Sequence, residues 1–266
     1  MQVLGVIPSR FASSRFPGKP LEPLAGCTGI RKSLVCRSWE AAAASKAIDR
    51  LVVATDDIRI REEVESFGGE CLMTSSACGN GTERCALAFE QFGDEFDIVV
   101  NFQGDAPLTP DWFVDELVDA MRNCPDAVVA TPVIRCNGAA LRRFVDDCER
   151  GMVGATTVVF DSERRALYFS KQIIPWTAHN YSDEALTPVY HHVGLYAYTL
   201  EALSFYASLK PSTLERQEGL EQLRFLENDV PMTCVEVDGK GRDFWEVNNP
   251  DDIARVEQGL MSAAIT

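Results

Sequence analysis

Hydrophobic positions fall in short runs, and in the first half of the chain these alternate with stretches of helical spacing. The run 3–7 breaks at Pro8, and segment 29–45, with its alanine run, predicts a helix. A β-rich strand is expected at 51–55, followed by Asp56 and Asp57. The next helix, 58–67, should stop at Gly68-Gly69, because glycine accepts the left-handed conformation that closes helices. Segment 70–73 predicts a strand, 82–92 a helix and 97–102 another buried strand. Such alternation predicts an α/β fold, a mostly parallel doubly wound sheet, for residues 1 to about 135.

The second half changes character. Segment 128–134 reads as a strand and 139–148 as a helix; 156–161, 166–170 and 193–198 are β-rich with turn signals between them. Segment 214–227 predicts one helix with Leu214, Leu220, Leu223 and Leu226 as its apolar stripe. A strand at 232–237 and a helix at 250–260 capped by Asn249 complete the chain. No linker, repeat or low-complexity segment separates the halves. We therefore expect a single domain over 1–266: a nucleotide-binding half to about 135, a β-rich insertion over about 150–230, and a return to the main sheet.

Composition narrows the function. A chain of 266 residues, 46% hydrophobic, can bury a full core. No run of eighteen apolar residues occurs, so no membrane span is expected. The chain enters a strand directly, without the charged and apolar regions of a secretory signal, and a cytoplasmic location is expected. Nine scattered cysteines without a C-x-x-C fit reduced thiols better than a disulfide framework or zinc site. A net charge of −15 argues against nucleic acid as a partner.

Against that charge, the loop after the first strand concentrates Arg10, Arg15 and Lys19, with Ser13, Ser14 and Gly18 among them. Small residues let the main chain approach phosphates, and lysine adds a point charge. The loop has neither P-loop nor dinucleotide-binding spacing. Gln103-Gly-Asp105, after the strand at 97–102, places a carboxylate where a hard dication such as Mg²⁺ could bridge substrate phosphates; alternatively Asp105 caps the helix starting near Pro110. In the loop 79–84, backbone amides with Thr82 and Arg84 suit a base edge or anion, or Thr82 is an ordinary helix cap. His191 and His192 stand just before the strand at 193–198, and adjacent residues in extended chain point to opposite faces, so the two should not share a metal.

These segments together resemble the sugar nucleotidyltransferases, and among them the cytidylyltransferases that activate 3-deoxy sugar acids, the CMP-Kdo synthetase family. The opening loop matches R-x-x-S-x-R-x-P-G-K-P. Further matches are the Q-G-D triplet, M-T-S with G-T-E-R, A-L-Y-F-S followed by I-P-W, H-V-G-L-Y-A-Y, and the L-E-x-x-E-x-L-E-Q-L-R-x-L-E segment. They run in order from Ile7 to Ile253.

The resemblance implies a nucleotide-diphospho-sugar transferase fold whose β-rich insertion binds sugar and forms a homodimer. It implies CTP and a 3-deoxy-ulosonic acid as substrates, and Mg²⁺ as cofactor. Arg10, Arg15, Lys19 and Asp105 would be catalytic. Pro8, Ser14, Thr74, Ser75, Gly81, Thr82, Arg84 and Gln103 would join Arg10 and Lys19 in holding the nucleotide. Gln103, Lys171, Tyr190, His192, Glu218 and Gln222 would hold the sugar, and Asp105 with Asn248 the metal.

Three positions depart from the pattern: Lys171 replaces Arg, Thr157 replaces a lysine, and Asn248 replaces the second metal-binding Asp. Asp243 or Glu246 is available to compensate. These departures keep open a modified sugar acid, 8-amino-Kdo or a nonulosonic acid, and a CTP-binding homologue without turnover. A sugar-1-phosphate nucleotidyltransferase fits only the first half.

Overall fold

The computed structural model describes residues 1–13, 16–151, 155–177, 180–242 and 244–266. Ser14, Arg15 and Asp243 therefore lie outside the described residues.

The first half builds β1 (Val3–Ser9), the hairpin β2 (Pro23–Ala25) and β3 (Arg31–Ser33), α1 (Leu34–Ala43), β4 (Arg50–Thr55), α2 (Ile58–Ser66), β5 (Cys71–Met73), α3 (Gly81–Phe89), β6 (Ile98–Phe102) and α4 (Asp111–Asn123). There follow β7 (Val129–Asn137), α5 (Gly138–Glu149), β8 (Thr157–Phe160), β9 (Ala166–Ser170), β10 (Leu186–His192), β11 (Leu195–Thr199) and α6 (Leu200–Ser208). The chain ends with α7 (Thr213–Glu218), α8 (Leu223–Leu226), β12 (Thr233–Glu236) and α9 (Asp252–Ser262).

Among the described residues ten strands form one sheet in the order β5-β4-β1-β6-β11-β7-β10-β8-β9, with β12 beside β7. The pairs β1–β4, β1–β6, β4–β5 and β7–β12 are parallel. β11, β10 and β9 run against the other strands, so the sheet is mixed with most strands pointing one way. Alternation along β1 sends Leu4 and Val6 to one face and Val3 and Ile7 to the other. The first face is covered by α3 and α6 and the second by α1, α2 and α4. From α4 alone Phe113, Val114, Leu117, Val118 and Met121 are buried, each stabilising the fold by roughly 1.5–3 kcal/mol.

Several elements differ from expectation. The predicted helix at 29–45 begins only at Leu34, because Ser33 Oγ accepts the Cys36 amide at 3.3 Å and the preceding residues pair in the β2–β3 hairpin. β10 was not expected as a strand; Pro188 interrupts it, and the register shifts between Leu186 and Tyr190. The last helix starts at Asp252 rather than at an Asn249 cap, since the Asp252 carboxylate takes the amides of Asn248 and Asn249 at 2.8 and 2.6 Å. The expected single helix at 214–227 is two short ones. Gly219 adopts φ +64° after α7, and Leu214 is left exposed.

Candidate active site

The loops leaving β1, β5 and β6 meet at the carboxyl edge of the sheet, where open α/β sheets bind ligands. They wall one side of a cleft of about 1190 Å³. A Cβ on Gly104 would lie 2.8 Å from Ser9 Oγ and 2.9 Å from Pro8 O, so glycine is what allows the Q-G-D loop to press against the loop after β1. This contact brings Lys19 Nζ to 2.5 Å from Asp105 Oδ2. Asp105 is thus half-buried against a cation and is not the cap of α4, which begins after Pro110. Pro8, the exposed Arg10 and Gln103 line the same wall.

The loop entering α3 is capped by Asn80, whose Oδ1 accepts the Glu83 amide at 2.9 Å. Thr82 does not act as the cap. Its hydroxyl lies 3.1 Å from Tyr198 Oη, which in turn accepts Asn101 Nδ2 at 3.5 Å, and Gln103 Nε2 donates to Asn101 Oδ1 at 3.2 Å. Arg84 is buried and donates to Thr74 Oγ1 at 2.6 Å, with Asp56 at 3.4 Å. Gly81 and Arg84 line the cleft; Thr74, Ser75 and Thr82 do not. Ser75 accepts the Ala77 amide.

The opposite wall comes from the end of β9, the β10–β11 junction and the turn between α7 and α8. Lys171, His192 and Gln222 line it. His192 Nε2 sits 2.9 Å from Thr131 Oγ1, and burial, with the neighbouring His191, pushes its pKa down to about 3. The two histidines do face apart: His191 packs on Phe144, His192 on Phe169 and Tyr196. Gln222 Oε1 accepts from Tyr196 Oη at 3.2 Å while its Nε2 has no partner. Glu218 does not line the cleft. It accepts from Ser170 Oγ, the Lys171 amide and Tyr168 Oη at 2.8, 3.1 and 3.2 Å, and so fixes the end of β9. Tyr190 also lies off the cleft, packed on Phe160.

A buried polar network joins the walls. Arg224, 1% exposed, makes a bidentate pair with Glu215 at 2.7 and 2.6 Å and reaches Glu83 at 2.9 Å. Glu221 Oε2 accepts the Thr82 amide at 3.2 Å, and Tyr206 Oη accepts from Asn80 and donates to Glu221 O. Glu221, which the helical spacing of 214–227 sets beside Glu218 and Gln222 on a face suited to a hydroxyl-rich ligand, lines the cleft beside Gly81. Ser9, whose buried Oγ has no partner among the described residues, was not singled out at all, although it stands between Pro8 and Arg10.

Asn248 lies near Asp105, because the Val247 amide donates to Asp105 O at 2.9 Å. Burial and the charge of Asp105 raise the Glu246 carboxyl to about 7, while the neighbouring Asn248 side chain pulls it the other way. Carboxylate and amide oxygens are the donors a hard dication prefers, and the ammonium on Asp105 already stands in for a cation. The residues present fit Mg²⁺.

The chain matches the Cytidylyltransferase family over residues 4–233. It is 43% identical to the 3-deoxy-manno-octulosonate cytidylyltransferase of Maricaulis maris (strain MCS10), covering 99% of this chain and 98% of that one. Identity to the enzyme of the same name from Chlamydia pneumoniae is 41%, covering 96% and 92%. The solved CMP:2-keto-3-deoxy-manno-octonic acid synthetase complexed with CTP superposes with a TM-score of 0.81 at 31% identity, covering 99% of both chains. With this fold, this cleft and these relatives, the chain belongs to the 3-deoxy-manno-octulosonate cytidylyltransferase family.

Proposed function

We propose that the protein transfers the cytidylyl group of CTP to a 3-deoxy-ulosonic acid, 3-deoxy-manno-octulosonate (Kdo) in the first instance. The observation that carries this reading is one continuous cleft with Arg10, Lys19, Gln103 and Asp105 on one wall and Lys171, His192 and Gln222 on the other. The anomeric hydroxyl of the sugar attacks the α-phosphorus in line, the bond to the bridging oxygen breaks, and pyrophosphate leaves. Such transfer depends on positioning and charge neutralisation rather than on a covalent intermediate.

Arg10 and Lys19, with Arg15 from the same loop, neutralise the triphosphate. The amides opening α3 face the nucleotide. Arg84, Thr74 and Thr82 support that loop through their hydrogen bonds, and Ser14 and Ser75 complete the nucleotide side. The free Gln222 Nε2 and the neutral His192 meet hydroxyls of the sugar, and Lys171 meets its carboxylate. Glu218 holds the Lys171 backbone, and Tyr190 supports the adjoining strand. Asp105 and Asn248 hold Mg²⁺, which when bound draws charge from the phosphates and the attacking hydroxyl.

We further propose a cytoplasmic homodimer with sugar binding and dimerisation assigned to segment 150–230, where Leu167, Trp176 and Leu186 are 62%, 84% and 58% exposed. Among the described residues no helix is long and apolar enough to cross a membrane.

Pyrophosphate release with CTP, Mg²⁺ and Kdo, with UTP and ATP as controls, tests the reaction. Release that requires both CTP and Kdo is expected; absence of CTP binding would sink the reading. One observation favours a second sugar acid. Lys171 Nζ lies 3.0 Å from where a Cβ on Gly219 would sit, so lysine and glycine together reshape the spot where the family pattern has arginine. The same assay with 8-amino-Kdo in place of Kdo decides between them.

A further inference from the structure

Asn248 leaves the cation site with one anionic ligand, Asp105, where the family pattern supplies two. The charge has not vanished from the site. Glu246 lies two residues earlier, and Val247 between them is fully buried among Leu24, Leu34 and Leu108. Val247 is turned into the core, which leaves Glu246 and Asn248 on either side of it in the chain. Both line the cleft.

Glu246 Oε1 lies 3.0 Å from the point a Cβ on Gly194 would occupy, and Gln103 Cγ lies 3.5 Å from that point. Its carboxylate is therefore set against the Gln103-Gly-Asp105 triplet. The Val247 amide, bonded to Asp105 O at 2.9 Å, ties the two segments together. Among the described residues Glu246 makes no ion pair, and the nearby ammonium of Lys19 is already on Asp105 at 2.5 Å. Once Lys19 turns to a triphosphate, the carboxylates of Asp105 and Glu246 are left in the cleft lining without an ion pair among the described residues.

We propose that Glu246 supplies the second carboxylate of this divalent-cation site, relocated from position 248, and that Asn248 holds it in place by a hydrogen bond. The inference rests on the reading of Asp105 as a cation ligand. A site with Glu at 246 and Asn at 248 keeps the charge of one with Asp at 248, with a longer side chain reaching from a neighbouring position.

Mn²⁺ binding to the full chain with CTP present tests this, followed by the water-proton relaxation enhancement that separates protein-held Mn²⁺ from Mn²⁺ on free CTP. Glu246→Gln is expected to weaken Mn²⁺ binding by about tenfold or more. Adding Asn248→Asp to Glu246→Gln is expected to restore most of it. The thermal midpoint of Glu246→Gln without metal, and its affinity for CTP alone, should stay close to those of the parent, separating ligand loss from misfolding. Parent-like Mn²⁺ binding by Glu246→Gln would overturn the proposal, as would a double variant that regains nothing. If the parent chain shows no enhancement, or Asp105→Asn binds as the parent does, the cation reading of Asp105 falls and this inference falls with it.

Discussion

The two walls of the cleft are held by different means. On the wall built by the loops after β1 and β6 the main chain does the positioning: parallel strands end at one edge, and Gly104 lets two of their loops touch. On the opposite wall the main chain is broken, at Gly219 and between β10 and β11, and buried side chains hold it instead. The Glu83–Arg224 pair joins residues 141 apart in sequence. A wall held by backbone can devote its side chains to the ligand. A wall held by side chains spends many of them on itself, as Glu218 and Glu215 do.

If this contrast is right, the largest catalytic effect comes from a single charge on the backbone-held wall. Asp105→Asn should lower kcat about 10³-fold, roughly 4 kcal/mol in barrier, with the folded state intact. Steady-state pyrophosphate release alongside a thermal melt checks both halves. A loss below about tenfold would mean that charge at this wall matters less than its position implies.

The largest effect on stability belongs to the other wall. Arg224→Met leaves Glu215, 8% exposed, without its partner and removes the tie to Glu83. Breaking a buried pair from one side costs about 3 kcal/mol or more, measurable by urea unfolding. Because Glu83 sits in the first turn of α3, the same variant should also raise the KM for CTP. A stability loss under about 1 kcal/mol would show that the walls are not held differently after all.

The same contrast explains how much could be read from the sequence. Arg10, Gln103 and Asp105 stand close after predicted strands and Lys19 in the loop that follows the first, and strand ends fix where such loops go; all four meet in the cleft. The second-half motifs were visible as residue patterns, but their shape was not. Leu214 to Glu227 has helical spacing, yet one glycine at φ +64° turns the chain and redirects Glu218 to β9 and Glu221 to the cleft. The glycine can mark the break, but where each side chain then lands is settled by contacts far away in sequence, such as Arg224 with Glu83. The β2–β3 hairpin was hidden for a similar reason: its strands are three residues each, too short for a period to register.

A smaller effect is expected where the broken segment turns. Gly219→Ala places a side chain at positive φ and 3.0 Å from Lys171 Nζ. The backbone strain alone costs about 1 kcal/mol. The displaced ammonium should raise the KM for the sugar acid several-fold while leaving the KM for CTP nearly unchanged. Equal changes in both constants would mean that Lys171 and Gly219 are not a sugar-side pair.

The smallest effect is a slope against pH. His191 and His192 are held at pKa values of about 4 and about 3 by burial, against an ordinary 6.5. The unfolded chain therefore binds more protons than the native one between pH 6.5 and those values, and stability rises with pH across that window. As pH falls from 6.5 to 5.5, each histidine should remove about 1 kcal/mol of unfolding free energy. His192→Gln should lower stability at pH 7.5 through its bond to Thr131 Oγ1, yet flatten the slope below pH 6.5. Only the slope reports protonation, so urea titrations at both pH values are needed. Since burial keeps His192 neutral at any working pH, it presents an uncharged imidazole to the cleft, and kcat should show no inflection near 6.5 from this residue. An inflection there that vanishes in His192→Gln would mean that the side-chain-held wall admits water to His192, and that its buried network is looser than the wall built on backbone.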